Sequence, residues 1–114
     1  MADAPETGLK ALAIARIWRG RTSRAVADEY ERYNYEAGIR PLIEKAAAVQ
    51  TFRHDGETET EFMTISFWES LEMMKAFAGD NPTDIHHLPR DKDYLVELPK
   101  AVEILELRSR SGII

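Results

Sequence analysis

The chain has 114 residues and a mass of 13.0 kDa, enough for one domain with a modest core but not for a deep private active site. With 44% hydrophobic and 31% charged residues it reads as a soluble globular protein, and the net charge of -5 argues against nucleic acid or an anionic membrane as principal partner. The absence of cysteine excludes disulfides, thiolate metal sites and a cysteine nucleophile; it is compatible with a reducing cytosol, so a cytoplasmic location is the expectation.

Residues 1–9 read as a flexible leader, 10–108 as a single domain and 109–114 as a tail. No run approaches the ~20 apolar residues that span a bilayer, and no signal core precedes the domain. Residues 12–19 alternate as a strand closed by Gly20, with Arg16 and Trp18 on one face. Thr22 or Ser23 then caps a helix in which Val26, Tyr30, Tyr33 and Ala37 recur at helical spacing. Gly38, followed by Pro41, is expected to end it.

A second strand over residues 47–54 joins a third over 58–68 through Asp55-Gly56, a tight-turn signal. The third strand places Thr64 and Ser66 on the same face as Trp68, and Met63, Ile65 and Phe67 on the other. Ser70 caps a helix over 71–78 with Leu71, Met74 and Phe77 on one side, and Gly79 stops it. Asp80-Asn81-Pro82 is expected to start another helical turn carrying His86 and His87. One more turn around Tyr94, Leu95 and Val96 precedes a last strand over 101–108.

The order strand, helix, strand, strand, helix, strand predicts an α+β fold of the ferredoxin-like, split βαβ type, with one antiparallel sheet and helices over one face. The opposite face, carrying Met63, Ile65 and Phe67, is left without cover. A homodimer that buries this face is therefore expected.

Several residues carry two readings. Trp68 either lines a pocket or fills the core, and its hydroxyl neighbours Thr64 and Ser66 either bond nearby backbone or face a wet cavity. Arg16, inside an apolar strand face, either pairs with a helix carboxylate such as Glu29 or recognises an anion or phenolate. Tyr30 and Tyr33 either pack or donate hydrogen bonds to a bound ring, with Phe77 a further substrate-binding candidate. His87 is a candidate acid, base or ligand; His86 reads as a surface or capping residue and His54 as solvated. Adjacent histidines point about 100° apart on a helix, so they form no zinc motif. The sequence contains no glycine-rich phosphate loop, no G-x-S-x-G and no H-E-x-x-H.

Arg16-Ile17-Trp18-Arg19-Gly20, together with Ile65-Ser66-Phe67-Trp68-Glu69-Ser70-Leu71-Glu72 running into Met74-Lys75-Ala76-Phe77-Ala78-Gly79, resembles the antibiotic biosynthesis monooxygenase (ABM) family. The resemblance spans about Leu12 to Leu107 and implies a dimeric α/β barrel. It also implies a cofactor-independent monooxygenase of a small aromatic or quinone-like molecule, in which the deprotonated substrate itself reduces dioxygen. The family's catalytic set pairs a strand-exit Trp with an Asn four residues earlier, a Tyr and an Arg; Trp68 matches the first, while Thr64 stands at the Asn position. Trp68, Thr64, Arg16 and His87 are accordingly the catalytic candidates, with Ser66, Tyr30, Tyr33 and Phe77 for substrate binding. The heme-degrading members imply an alternative in which His87 binds heme iron, although Phe77 stands where they carry a Trp and the first strand has no Asn. A non-catalytic, small-ligand-binding dimer is the third reading.

Overall fold

A computed structural model describes residues 12–112; the expected leader and residues 113–114 of the expected tail lie outside them. In chain order the elements are β1 (Ile14–Ser23), α1 (Ala27–Asn34), α2 (Arg40–Lys45), β2 (Ala48–Asp55), β3 (Glu59–Trp68), α3 (Leu71–Ala78), α4 (Asp91–Tyr94) and β4 (Glu103–Glu106). The four strands form one antiparallel sheet in the order β2-β3-β1-β4, which is the ferredoxin-like arrangement expected from the element order.

Residues directly opposed across a ladder share a face, so the register Ile14↔Trp68, Arg16↔Ser66, Trp18↔Thr64 sets all five polar and aromatic side chains of this stretch on the helix side. Ala15, Ile17, Met63, Ile65 and Phe67 fall on the other side. Under the helices the core divides into two clusters. One holds Tyr30, Phe62, Tyr94 and Leu95, with Trp18 packed against it; the other holds Leu42, Trp68, Met74 and Ala78, with Ile14 packed against it.

Four local expectations are corrected. β1 does not end at Gly20 but pairs on to Ser23. A Cβ at Gly20 would lie 2.6 Å from Trp18 Cη2 and 2.9 Å from Cζ2, so this glycine makes room for an indole laid along its own strand. The first helix does not stop at Gly38: Tyr35–Ile39 is a widened π turn in which the Arg40 N–H reaches Tyr35 O, and α2 continues through Pro41 in its first turn. The widened turn shifts the hydrogen-bond register ahead of a residue that has no N–H to give. At Gly38 a Cβ would stand 3.2 Å from Leu88 Cδ1, so close approach, rather than termination, explains the glycine.

The hairpin is longer than a two-residue turn, with the Gly56 N–H donating to Glu59 O and Gly56 not at positive φ. Asp55 stays in the strand because its carboxylate accepts from Thr60 Oγ1 at 2.8 Å and Arg53 Nε at 2.9 Å. Finally, His86 and His87 are not helical; the chain after Gly79 runs through turns and extended backbone until α4. Arg16 explains this, because its guanidinium donates to Pro82 O at 3.0 Å and Asp84 O at 2.8 Å, occupying carbonyls that a helix would use.

The expected ends of α3 hold. Ser70 Oγ accepts from the Met73 N–H, and Gly79 ends α3 at φ 98. Met74 and Ala78 are the buried line of α3, whereas Leu71 and Phe77 are partly exposed. β4 is shorter than the strand expected over 101–108.

Two outcomes follow. Gly20→Ala should push the Trp18 indole aside, costing roughly 1–3 kcal/mol in a denaturant titration and altering the near-UV circular dichroism; wild-type behaviour in both would show that the indole does not lie over Gly20. The hydrogen bonds from Thr60 and then Arg53 hold the Asp55 carboxyl below its usual range. Its stabilisation is therefore present above about pH 4 and lost as pH falls through the depressed value. Asp55→Asn should be less stable than wild type at neutral pH and show a shallower loss of stability on acidification.

Candidate functional site

Between the two core clusters lies a cavity of about 290 Å³. Its floor is the sheet, where Arg16, Trp18 and Thr64 line it; the helical side contributes Asn34 and Gly38, and Phe77, His86 and Asp91 close it from α3 and the following chain. The cavity exists because β1 and β3 present Arg16 and Thr64 where a continuous core would have aliphatic side chains. Gly38 and the π turn border it directly.

Arg16 is the electrostatic centre of this site. It is half-buried and makes no ion pair among the described residues; its partners are the two carbonyls of Pro82 and Asp84. The expected alternative, a salt bridge to Glu29, does not form: Glu29 accepts from the Tyr94 hydroxyl at 2.6 Å instead. Burial lowers the Arg16 pKa, yet a guanidinium keeps its proton, so a positive charge that is ion-paired with no carboxylate among the described residues faces the cavity. Thr64 is buried and makes no side-chain hydrogen bond among the described residues. Its hydroxyl is available on the cavity wall.

Of the remaining sequence candidates, only Phe77 reaches the cavity. Trp68 is 1% exposed, packs in the core and donates its indole N–H to Ser66 Oγ at 3.0 Å. Ser66 in turn contacts Arg16 O at 3.4 Å. These two side chains satisfy one another, and neither lines the cavity. Phe77 bridges the regions, with its ring 5.4 Å from that of Trp68. Tyr30 is fully buried and donates to Asp91 Oδ1 at 3.1 Å, while Tyr33 Oη accepts from the Arg90 N–H at 2.9 Å. His87 is exposed and outside the cavity lining; His86 contacts Ala78 O at 3.1 Å through Nε2.

Among the polar and aromatic lining residues, Trp18, Asn34, His86 and Asp91 escaped the sequence reading as site candidates. Trp18 had a usable signal, namely a tryptophan two residues before a glycine on the face that also carries Arg16. Asn34 and Asp91 had none, since helix packing alone brings them to the sheet.

A larger hollow, about 430 Å³, lies against the opposite sheet face and includes Arg19, Arg21, Phe52, His54, Met63 and Glu97. Its cations are already paired: Arg21 with Glu59 and Glu97, and Arg19 with Glu103. Volume favours this hollow, but charge free of an ion pair beside aromatic surface makes the smaller cavity the candidate site. Among the described residues, no three His, Asp or Glu side chains gather as a metal site, and no helix is long and apolar enough to cross a membrane.

No protein-family model matches the sequence, and no curated protein matches it. Among solved structures, a Bacillus cereus protein provisionally named as an antibiotic biosynthesis monooxygenase shares the fold, with a TM-score of 0.62 and 10% sequence identity over 90% of this chain and 100% of that one. At that identity the likeness establishes a common α+β fold.

Proposed function

We propose that the cavity above Arg16 binds a small, planar aromatic molecule bearing an acidic group, and that the protein oxygenates such a molecule with dioxygen without a bound cofactor. The observation that carries the reading is the guanidinium of Arg16, paired with no carboxylate among the described residues and two residues from the Trp18 indole on the same strand face. An anion there exchanges solvent for a charge-assisted hydrogen bond, and the indole face offers stacking surface for a ring. At about 290 Å³ the space is at the small end for ligand sites, which suits a compact ring system.

In the oxygenation, loss of a proton from the substrate gives an electron-rich anion, which transfers an electron to dioxygen. Recombination forms a carbon–oxygen bond, and loss of water from the resulting hydroperoxide leaves a carbonyl. A CH2 group and O2 become C=O and H2O, so the substrate supplies every electron. Arg16 stabilises the oxyanion that develops in this sequence, Thr64 supplies a hydroxyl beside it, and Trp18 and Phe77 hold the ring. The fold shared with the Bacillus cereus protein supports oxygenation over other reactions of an acidic aromatic. Heme has no part in the proposal, since His87 is exposed and outside the cavity lining.

Titration of 2-naphthoate by intrinsic fluorescence tests the binding step. Arg16→Gln should weaken it about tenfold or more, as expected for loss of a charge-assisted hydrogen bond, and equal affinities would remove Arg16 from the site. Oxygen uptake with anthrones and quinols tests the chemistry. Uptake that Arg16→Gln abolishes supports oxygenation, whereas saturable binding with no uptake across the panel would leave a binding protein.

We also propose that the sheet face opposite the helices pairs with a second copy of the chain. Ile17, Met63 and Ile65 are only partly covered there, and Phe52 and Leu105 are 47% and 52% exposed; a stable interface needs about 800 Å² per partner. Light scattering should give twice the 13.0 kDa chain mass, and Ile65→Asp should return it to the monomer value. A monomeric wild type at micromolar concentration would refute the pairing.

A further inference from the structure

We propose that Asp91 is a second ligand anchor, accepting a hydrogen bond from a hydroxyl group of the same molecule whose acidic group meets Arg16, so that the ligand class is a hydroxylated aromatic acid. This rests on the cavity reading above and narrows it.

Asp91 is 3% exposed, yet it lines the cavity. Its carboxylate receives two neutral donors from the protein: the Tyr30 hydroxyl at 3.1 Å on Oδ1 and the Leu88 N–H at 3.1 Å on Oδ2. A carboxylate has about four acceptor positions, so two remain. No cation pairs with it among the described residues: Arg90, its neighbour in sequence, reaches Asp93 at 3.9 Å and lies over the rings of Tyr33 and Tyr94. Asp91 is thus a buried negative group with spare acceptor capacity, and Arg16 is a half-buried positive group with no carboxylate partner among the described residues. They line one small cavity but are not paired with each other.

The protein holds Asp91 in place from behind. Tyr30 is fully buried in an aromatic cluster, 5.3 Å from Phe62 and 5.4 Å from Tyr94 between ring centres. Burial first, and then the charge of Asp91, raise its pKa. Its phenol therefore keeps its proton and serves as a fixed donor, a positioning residue for Asp91. Each Asp91 oxygen already has one donor, and a ligand hydroxyl adds a third hydrogen bond to a carboxylate that can accept about four. A ligand with an acidic group alone leaves Asp91 as it stands; one with an ether in place of the hydroxyl sets an acceptor against an acceptor.

The test compares wild-type affinities for two hydroxy acids of different span, para-hydroxybenzoate and 6-hydroxy-2-naphthoate. Each is set against its parent acid and its methyl ether. At least one hydroxy acid should bind about tenfold more tightly than both its parent and its ether. In Asp91→Asn, checked for fold by near-UV circular dichroism, the ratio of hydroxy-acid to parent-acid affinity should fall to about one, whatever happens to the parent acid's own affinity. Tyr30→Phe should shrink the advantage without abolishing it. Equal binding of hydroxy acid, parent and ether by the wild type overturns the proposal and needs no variant; so does an advantage that persists in Asp91→Asn. If the parent acids themselves fail to bind, the cavity reading falls and this one with it.

Discussion

The register of β1 against β3 is the constraint from which the remainder of the molecule follows. Ten consecutive pairs, from Ile14↔Trp68 to Ser23↔Glu59, fix which side chains lie beneath the helices. Side chains alternate with a period of two, so a slip of one residue would turn one strand over, carrying Arg19 inward and Trp18 into water if β1 turned, or Glu61 inward and Trp68 into water if β3 turned. The cost of burying those charges, together with the lost aromatic burial, makes the observed register the one that folds. The same register sets Arg16 beside Ser66 and Trp18 beside Thr64, which is why polar groups meet at the middle of the sheet.

That meeting divides the core. Aromatic packing builds one cluster around Tyr30 and Phe62 and another around Trp68 and Met74, and neither extends across Arg16 and Thr64. A guanidinium there cannot be covered by aliphatic side chains without losing its partners. The fold instead supplies two backbone carbonyls from the chain after α3, and those bonds draw that chain over the sheet. Arg16 therefore acts structurally and electrostatically at once: it ties down residues 82–84 and leaves its charge at the edge of a hollow.

Much of the architecture was legible in the sequence because it rests on local rules. Alternation located the strands, and Ser70 and Gly79 bounded α3 through a hydroxyl cap and a left-handed backbone residue. Glycine misled where its role was tertiary. At Gly20 and Gly38 the missing Cβ serves close approach by Trp18 and Leu88, and no local pattern separates that use from a stop signal. The helix expected to carry His86 and His87 failed for a related reason, since Arg16, far away in sequence, decides the backbone there. The site was legible to the same degree: Arg16, Thr64 and Phe77 could be named from strand and helix faces, whereas Asp91 arrives through a loop and a single helical turn.

The contrast between Trp68 and Trp18 shows how satisfaction of polar groups separates core from site. Both tryptophans lie on the helix-facing side of the central strands. Trp68 has a built-in partner in Ser66, two residues earlier on the same face, and with its N–H bonded at 3.0 Å it can be buried completely. The strand exit that carries the resemblance to a family of oxygenases is, in this chain, a self-contained piece of core. Trp18 is only partly buried, with its indole lying over Gly20 and the adjoining space bounded by Arg16, Thr64 and Asp91. Each of those three groups retains hydrogen-bonding capacity after the fold has formed. A cavity whose walls still have bonds to make suits a molecule that can make them, which is why the proposed ligand is placed at the middle of the sheet rather than at its end.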